Sequence, residues 1–422
     1  MPGAEGASAA APSGGRGLRV LAAVELGGQW GHLLRIKPVL EGLRERGHVG
    51  VLATTDVPAA RRLFDSEPIE VVACPSLRLM KPVPRGTRYK HYAQILDLCA
   101  FGDDAMLAAN VRHWMALIDR VRPDAMLTDF SPLALFVAHL KRLPVVQIPT
   151  GWEAPPHGQP LPLISIEPAP EQDRAPWDEF EARMLARLNR QCAAHGVAPL
   201  RHLSDVYAIG TQLLACWPQT DHFAPRTAAR YIGPIYSERE GVTVEWLEAQ
   251  ADRPRVFVYL APGRHNVSVL ETLRDAGADV MAVMPGLPPA VAERLRGPRL
   301  QIMDGPVHLG AALTGLRLTI SNGGHGLTGA SLRRGVPMLI VPRTAEQFIL
   351  GSWLAEQGVA QVLGAVGVGD AAEIVTRALH DEDSLAKAAA VAVGYADHSL
   401  ARTLREVVEA IERAGRPALA QT

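Results

Sequence analysis

Leu318-Thr-Ile-Ser-Asn-Gly-Gly-His-Gly-Leu-Thr-Gly-Ala-Ser-Leu-Arg-Arg-Gly-Val-Pro-Met-Leu-Ile-Val-Pro342 changes its periodicity twice. A β-branched run ends at Ser321, glycines and a histidine follow, and a helical stretch reaches Gly335 before a second buried run, Met338–Val341. Strand, glycine turn, helix and strand make one βαβ unit. Glycines between a strand and a helix let backbone amides approach an anion, and the helix N-terminus adds its dipole. The spacing contains no GK[ST] and is not GxGxxG, so it is neither a P-loop nor the dinucleotide fingerprint. A diphosphate is the natural occupant, although a tight βα turn that simply needs small residues would use the same glycines.

The alternation extends in both directions. Val256–Leu260, Val280–Met284 and Leu300–Met303 precede the stretch as further strands. In the first half, Arg19–Val24, Val49–Thr54, Ile69–Cys74, Ala125–Asp129 and Val145–Pro149 read the same way. Between the first two lies a helix over Leu33–Arg46, with Leu33, Ile36, Leu40 and Leu43 on one face and Gly47 as its stop. Two doubly wound α/β domains with parallel sheets follow, facing each other across a cleft. A Gly/Pro turn at Tyr231–Gly241 divides them into residues 18–235 and 236–422, with the last helix, 400–414, a candidate to pack back on the first domain.

Composition agrees with this division. At about 150 residues per domain, 422 residues make two or three domains. The formal net charge of −1 gives no bulk attraction to nucleic acid or an anionic membrane. Four scattered cysteines without a CxxC pair exclude a disulfide framework and suit a reducing compartment. There is no apolar run long enough for a transmembrane helix. Residues 1–17, rich in Ala, Gly, Ser and Pro, read as a disordered leader rather than a signal peptide, so a cytoplasmic location is expected.

Gly323-Gly324-His325-Gly326, Gly335-Val336-Pro337, Pro342 and Glu346-Gln347 together resemble the donor-site signature of GT-B glycosyltransferases. The family in question includes UDP-glucuronosyltransferases and macrolide and plant natural-product glycosyltransferases. Gly31-His32 opening a helix that ends in Arg46-Gly47-His48, the segment Arg122–Phe130, and Tyr231-Ile-Gly-Pro234 extend the likeness over about residues 18–414. The resemblance implies an inverting, metal-independent transfer from a UDP- or dTDP-sugar to a small-molecule acceptor, with the nucleotide sugar as co-substrate and no further cofactor. Three positions depart from the pattern. Asn322 replaces a phosphate-contacting histidine, Leu327 a Ser/Thr beside Thr328, and Ala330 a ribose-reading glutamate.

Sugar transfer needs a base for the acceptor hydroxyl and a stabiliser for the departing diphosphate. His32 and Asp129 fall at the carboxyl edge of one sheet, where open α/β sheets place their sites, and by resemblance they are the base and its orienting partner. A helix-cap role for each is the alternative. Asn322, Gly323, Gly324, His325, Gly326 and Thr328 are the candidate diphosphate cradle, and Glu346 and Gln347 by resemblance bind the donor sugar. Arg264 reaches either the diphosphate or solvent. Val307 is placed with the donor site, in a segment lacking the tryptophan on which plant members stack uracil. Trp30, Trp114 and Trp152 are candidate acceptor contacts, although aromatics spaced as in Tyr89–Trp114 are more often core. His48 reads as a surface residue closing its helix. A sugar-nucleotide epimerase and a non-catalytic nucleotide-sugar-binding subunit are the rival readings, the latter motivated by Asn322, Leu327 and Ala330.

Overall fold

The computed structural model describes residues 16–26, 30–74, 89–164, 174–237, 241–246, 253–364 and 368–416. Apart from Arg16 and Gly17, the leader read from the sequence lies outside these residues. The first sheet contains β1 (Arg19–Val24), β2 (Val49–Thr54), β3 (Glu70–Ala73), β4 (Ala125–Asp129), β5 (Val145–Gln147) and β6 (Thr211–Gln212), in the spatial order β3-β2-β1-β4-β5-β6. The second contains β7 (Arg255–Tyr259), β8 (Asp279–Val283), β9 (Leu300–Met303), β10 (Leu318–Ser321), β11 (Met338–Ile340) and β12 (Ala360–Val362), in the order β12-β11-β10-β7-β8-β9. All the ladders are parallel. Numbered from its own first strand, each sheet follows the 3-2-1-4-5-6 order of a Rossmann domain. Strand order therefore reverses between β1 and β4 in one domain and between β7 and β10 in the other, and such a reversal opens a ligand crevice at the strands' carboxyl ends.

Burial on both faces explains the continuous apolar strands. Along β1, Leu21 and Ala23 join one buried cluster while Val20, Ala22 and Val24 join the cluster on the opposite face. The helix Trp30–Glu45 starts earlier than its apolar period indicates, and it ends before Gly47, whose φ of 81° is open to glycine at little cost. β6 and β12 went unread because two or three residues carry no periodicity.

The helix Leu400–Gly415 leaves the second domain and lies on the first. Val407, Val408, Ala410 and Ile411 complete the cluster formed by β1, β4 and the helix Trp30–Glu45. Burying each of the larger side chains contributes about 1.5–3 kcal/mol. Thr403 Oγ1 donates to Ile232 O at 2.7 Å, and Glu412 meets Arg46 at 2.7 Å and His48 Nε2 at 2.8 Å. His48 is therefore not a surface residue. It is buried, and its Nδ1 accepts from the Leu18 amide at 3.1 Å, joining the strand entry to the last helix.

Contacts also join the domains at the cleft. Ile349 and Trp353, from the helix Ala345–Glu356, pack against the first domain's core, and Trp217 stacks on Tyr395 at 4.2 Å. A Cβ on Gly329 would stand 2.5 Å from Cγ of Pro234, so the absence of a side chain there lets the helix His325–Arg333 lie against the interdomain linker.

Candidate active site

His32 and Asp129 arrive from the two sides of the first switch point. His32 lies in the first turn of the helix after β1, and Asp129 ends β4 in register with Val24. Phe130 takes a φ of +43°, an uncommon conformation for a bulky residue, as the chain turns sharply out of β4. Ser131 fixes this corner: its Oγ accepts from the Glu25 amide at 2.9 Å and lies 2.9 Å from the carbonyls of Ala23 and Asp129. His32 Nδ1 stands 3.3 Å from Asp129 Oδ1, and Nε2 has no hydrogen-bond partner among the described residues.

Two further charges complete the cluster. Arg35, one helical turn after His32, donates Nη1–H to Asp129 Oδ1 and to Glu153 Oε2, both at 2.6 Å. Glu153 Oε2 also accepts from the Thr150 amide at 2.7 Å, and Oε1 lies 3.7 Å from His32 Nδ1. Burial pushes the Glu153 carboxyl up, but Arg35 and His32 outweigh it and hold it at about 2. Asp129, whose Oδ2 has no partner among the described residues, is instead raised above the usual aspartate range, chiefly by burial. For His32 burial favours the neutral ring, but the charges of Asp129 and Glu153 and the Asp129 hydrogen bond raise its pKa overall, with Arg35 opposing them. Sequence reading missed Arg35 and Glu153. The available signal was a cation three residues after His32 on an otherwise apolar face.

The second domain presents the glycine turn. Gly323 has a φ of +85°, and a Cβ there would come within 3.1 Å of Ile340. The helix His325–Arg333 starts at Gly324 without a side-chain cap, so its first-turn amides lack that partner, as an anion site requires. His325 is buried and its pKa is lowered to about 3, mainly by desolvation. Glu346, in the first turn of its helix, is raised to about 7 by burial and by Glu153. Gln347 Oε1 accepts from the Arg343 amide at 2.8 Å while Thr344 caps the Gln347 amide, so this glutamine supports the helix entry. Arg264 is exposed at the start of the helix after β7, across the second switch point from the glycine turn.

Several expected contacts have other surroundings. Asn322 Nδ2 donates one N–H to Val341 O at 2.7 Å, tying the end of β10 to the end of β11. Thr328 is fully buried, and its hydroxyl has no hydrogen-bond partner among the described residues. The Val307 side chain packs in the core of the second domain, and the chain on either side of it pairs with Val242 through Pro306 O and the His308 amide. Trp114 is fully buried against the first sheet and cannot meet an acceptor. Trp152 is nearly buried, stacked on Phe223 at 6.2 Å with His222 edge-on at 5.3 Å. Trp30 is partly exposed, with the Arg62 guanidinium 5.9 Å over its ring. His222, which sequence reading did not single out, crosses to the second domain and donates Nε2–H to Glu346 O at 3.0 Å.

A family model described as glycosyl transferase family 1 matches residues 18–151. No curated protein sequence matches the chain. Among solved structures, the glycosyltransferase VinC in complex with dTDP is 22% identical with a TM-score of 0.65, over 94% of this chain and 100% of that one. The calicheamicin glycosyltransferase CalG4 is 18% identical with a TM-score of 0.69, over 95% and 100%. The Streptomyces sp. SF2575 glycosyltransferase SsfS6, complexed with thymidine diphosphate, is 19% identical with a TM-score of 0.62, over 94% and 100%. No helix among the described residues is long and apolar enough to cross a membrane. The chain has the GT-B fold, and over residues 18–151 it matches glycosyl transferase family 1.

Proposed function

We propose that this protein is an inverting glycosyltransferase that moves a sugar from a dTDP- or UDP-sugar to a hydroxyl of a small-molecule acceptor. The observation that carries the reading is the 3.3 Å contact of His32 Nδ1 with Asp129 Oδ1 at the carboxyl edge of the first sheet. Asp129 holds Nδ1 protonated, so Nε2 takes the acceptor proton as the oxygen attacks the anomeric carbon. The carbon–oxygen bond to the diphosphate breaks as the new bond forms, inverting the centre. The leaving diphosphate is received by the turn Gly323–Gly326 and the uncapped helix start, where the positive end of the dipole stabilises its charge without a metal. Glu346 lies across the cleft from the dyad, near the sugar's expected position. Two of the similar structures carry a thymidine diphosphate in their names, which favours dTDP.

The occupied amide of Asn322 and the buried hydroxyl of Thr328 favour a second reading, a subunit that binds a nucleotide sugar without turning it over. Incubating the protein with dTDP- and UDP-sugars and a panel of hydroxylated acceptors, read by mass spectrometry, separates the two. A sugar-bearing product supports transfer; nucleotide-dependent thermal stabilisation with no product supports the binding subunit.

A further inference from the structure

His222, His325 and Glu346 meet where the two domains touch, each offering a ligand atom within 4.8 Å of the others. The imidazole rings are 5.5 Å apart, and His325 Nε2 lies 3.9 Å from Glu346 Oε1. Because His222 spends its Nε2–H on the Glu346 carbonyl, its Nδ1 carries a lone pair. That Nδ1 and Nε2 of His325 are both buried and without a hydrogen-bond partner among the described residues. Leaving two buried ring nitrogens unpaired is costly, and a ligand that accepts both would remove the cost.

We propose that His222, His325 and Glu346 bind a divalent transition-metal ion of zinc-like chemistry that clamps the two domains together. Two imidazoles and one carboxylate make a three-residue zinc set with one open position. Zinc at 2.0–2.1 Å from each ligand holds ligand atoms roughly 3.4 Å apart, so the three groups draw together by about an ångström on binding. The neighbouring set His32, Asp129 and Glu153 has similar spacing but already holds a cation, the Arg35 guanidinium between its two carboxylates. His325 and Glu346 also belong to the donor site proposed above, so zinc and a nucleotide sugar would compete for them, and zinc binding is tested with metal alone.

The test titrates Co²⁺, then Zn²⁺, into the untagged full-length protein, following the visible absorption of four-coordinate cobalt and the melting temperature. The expected result is one equivalent of bound metal, a raised melting temperature, and affinity reduced at least tenfold in both His222→Gln and Glu346→Gln. X-ray absorption at the zinc edge of the wild-type complex, expected to show two imidazole ligands, decides the case if a variant folds poorly. Absence of stoichiometric binding, retention of wild-type affinity by the folded variants, or a ligand shell without two imidazoles would overturn the proposal.

Discussion

Arg35 Nη1 and His32 Nδ1 share one oxygen, Asp129 Oδ1, at 2.6 and 3.3 Å. The carboxylate that orients the imidazole is thus already paired with a buried guanidinium. Glu153, bound to the other side of the same guanidinium, restores the negative charge that His32 faces. With two carboxylates and one guanidinium around it, His32 faces a net charge of −1 from these three groups, as it would beside a lone aspartate.

That balance sets the pH dependence of transfer. Catalysis needs the neutral imidazole, and the His32 pKa is raised above 6.5, so kcat/KM should fall as pH drops through that raised value. Glu153→Gln removes a negative charge and moves the acidic limb to lower pH. Arg35→Met removes the positive charge and moves it to higher pH, leaving activity at pH 7 down by about tenfold, one 1.4 kcal/mol step. Glu346 faces the cluster from the opposite domain and is unchanged in both variants. Identical pH profiles for all three proteins would remove the charge-balance account.

Glu25 gives a prediction of opposite sign. Its Oε2 accepts from the Leu133 amide at 2.9 Å, but burial raises the carboxyl to about 8. Between the unfolded glutamate pKa, near 4.5, and about 8 the folded protein holds one proton more than the unfolded chain. Stability contributed by this group is therefore present at acid pH and declines as pH rises through that window. Glu25→Gln keeps the acceptor without the charge, so its denaturation midpoint should rise relative to wild type between pH 6 and 8.

The last helix belongs energetically to the first domain. Ile411→Ala opens a cavity among Val39, Leu43 and the residues of β1 and β4, and should cost about 2–5 kcal/mol. Chemical denaturation followed by tryptophan fluorescence would show the loss as a lower midpoint at unchanged slope. A change below 0.5 kcal/mol would mean the helix is not held there in solution.

Gly323→Ala tests the glycine turn. A left-handed φ costs a residue with a side chain about 1–2 kcal/mol, and the added methyl would sit 3.1 Å from Ile340. Binding of dTDP, measured by calorimetry, should weaken because the cradle's backbone shifts, while Gly326→Ala, 3.5 Å from its nearest protein neighbour, should leave the melting temperature unchanged.

Much of this fold is legible in the sequence because parallel strands buried on both faces appear as apolar runs, and Gly47 and Gly335 mark helix ends by their positive φ. The order of the strands, and hence the meeting of His32 with Asp129, follows from right-handed crossovers. Other features were hidden for physical reasons. Arg35, Glu153 and His222 are buried polar residues whose partners lie 94, 118 and 124 positions away; Arg35 alone leaves a local trace, as a cation on an apolar helix face, and that trace does not name its partner. Trp114, Thr328 and Val307 carry side chains that suit a binding site or a core equally well, and the core claimed them. His48 looked like a helix-closing surface residue because its buried partner, Glu412, lies in a helix that returns from the other domain.

The central claim is that His32 is the base of a sugar transfer. Its most direct test compares wild type with His32→Ala in product formation from a dTDP- or UDP-sugar, with nucleotide binding measured on the same preparations. A positioned base contributes about 10²–10⁴-fold, so the variant should lose that much turnover while binding dTDP as tightly as wild type. Turnover equal to wild type in a folded, nucleotide-binding His32→Ala protein would contradict it.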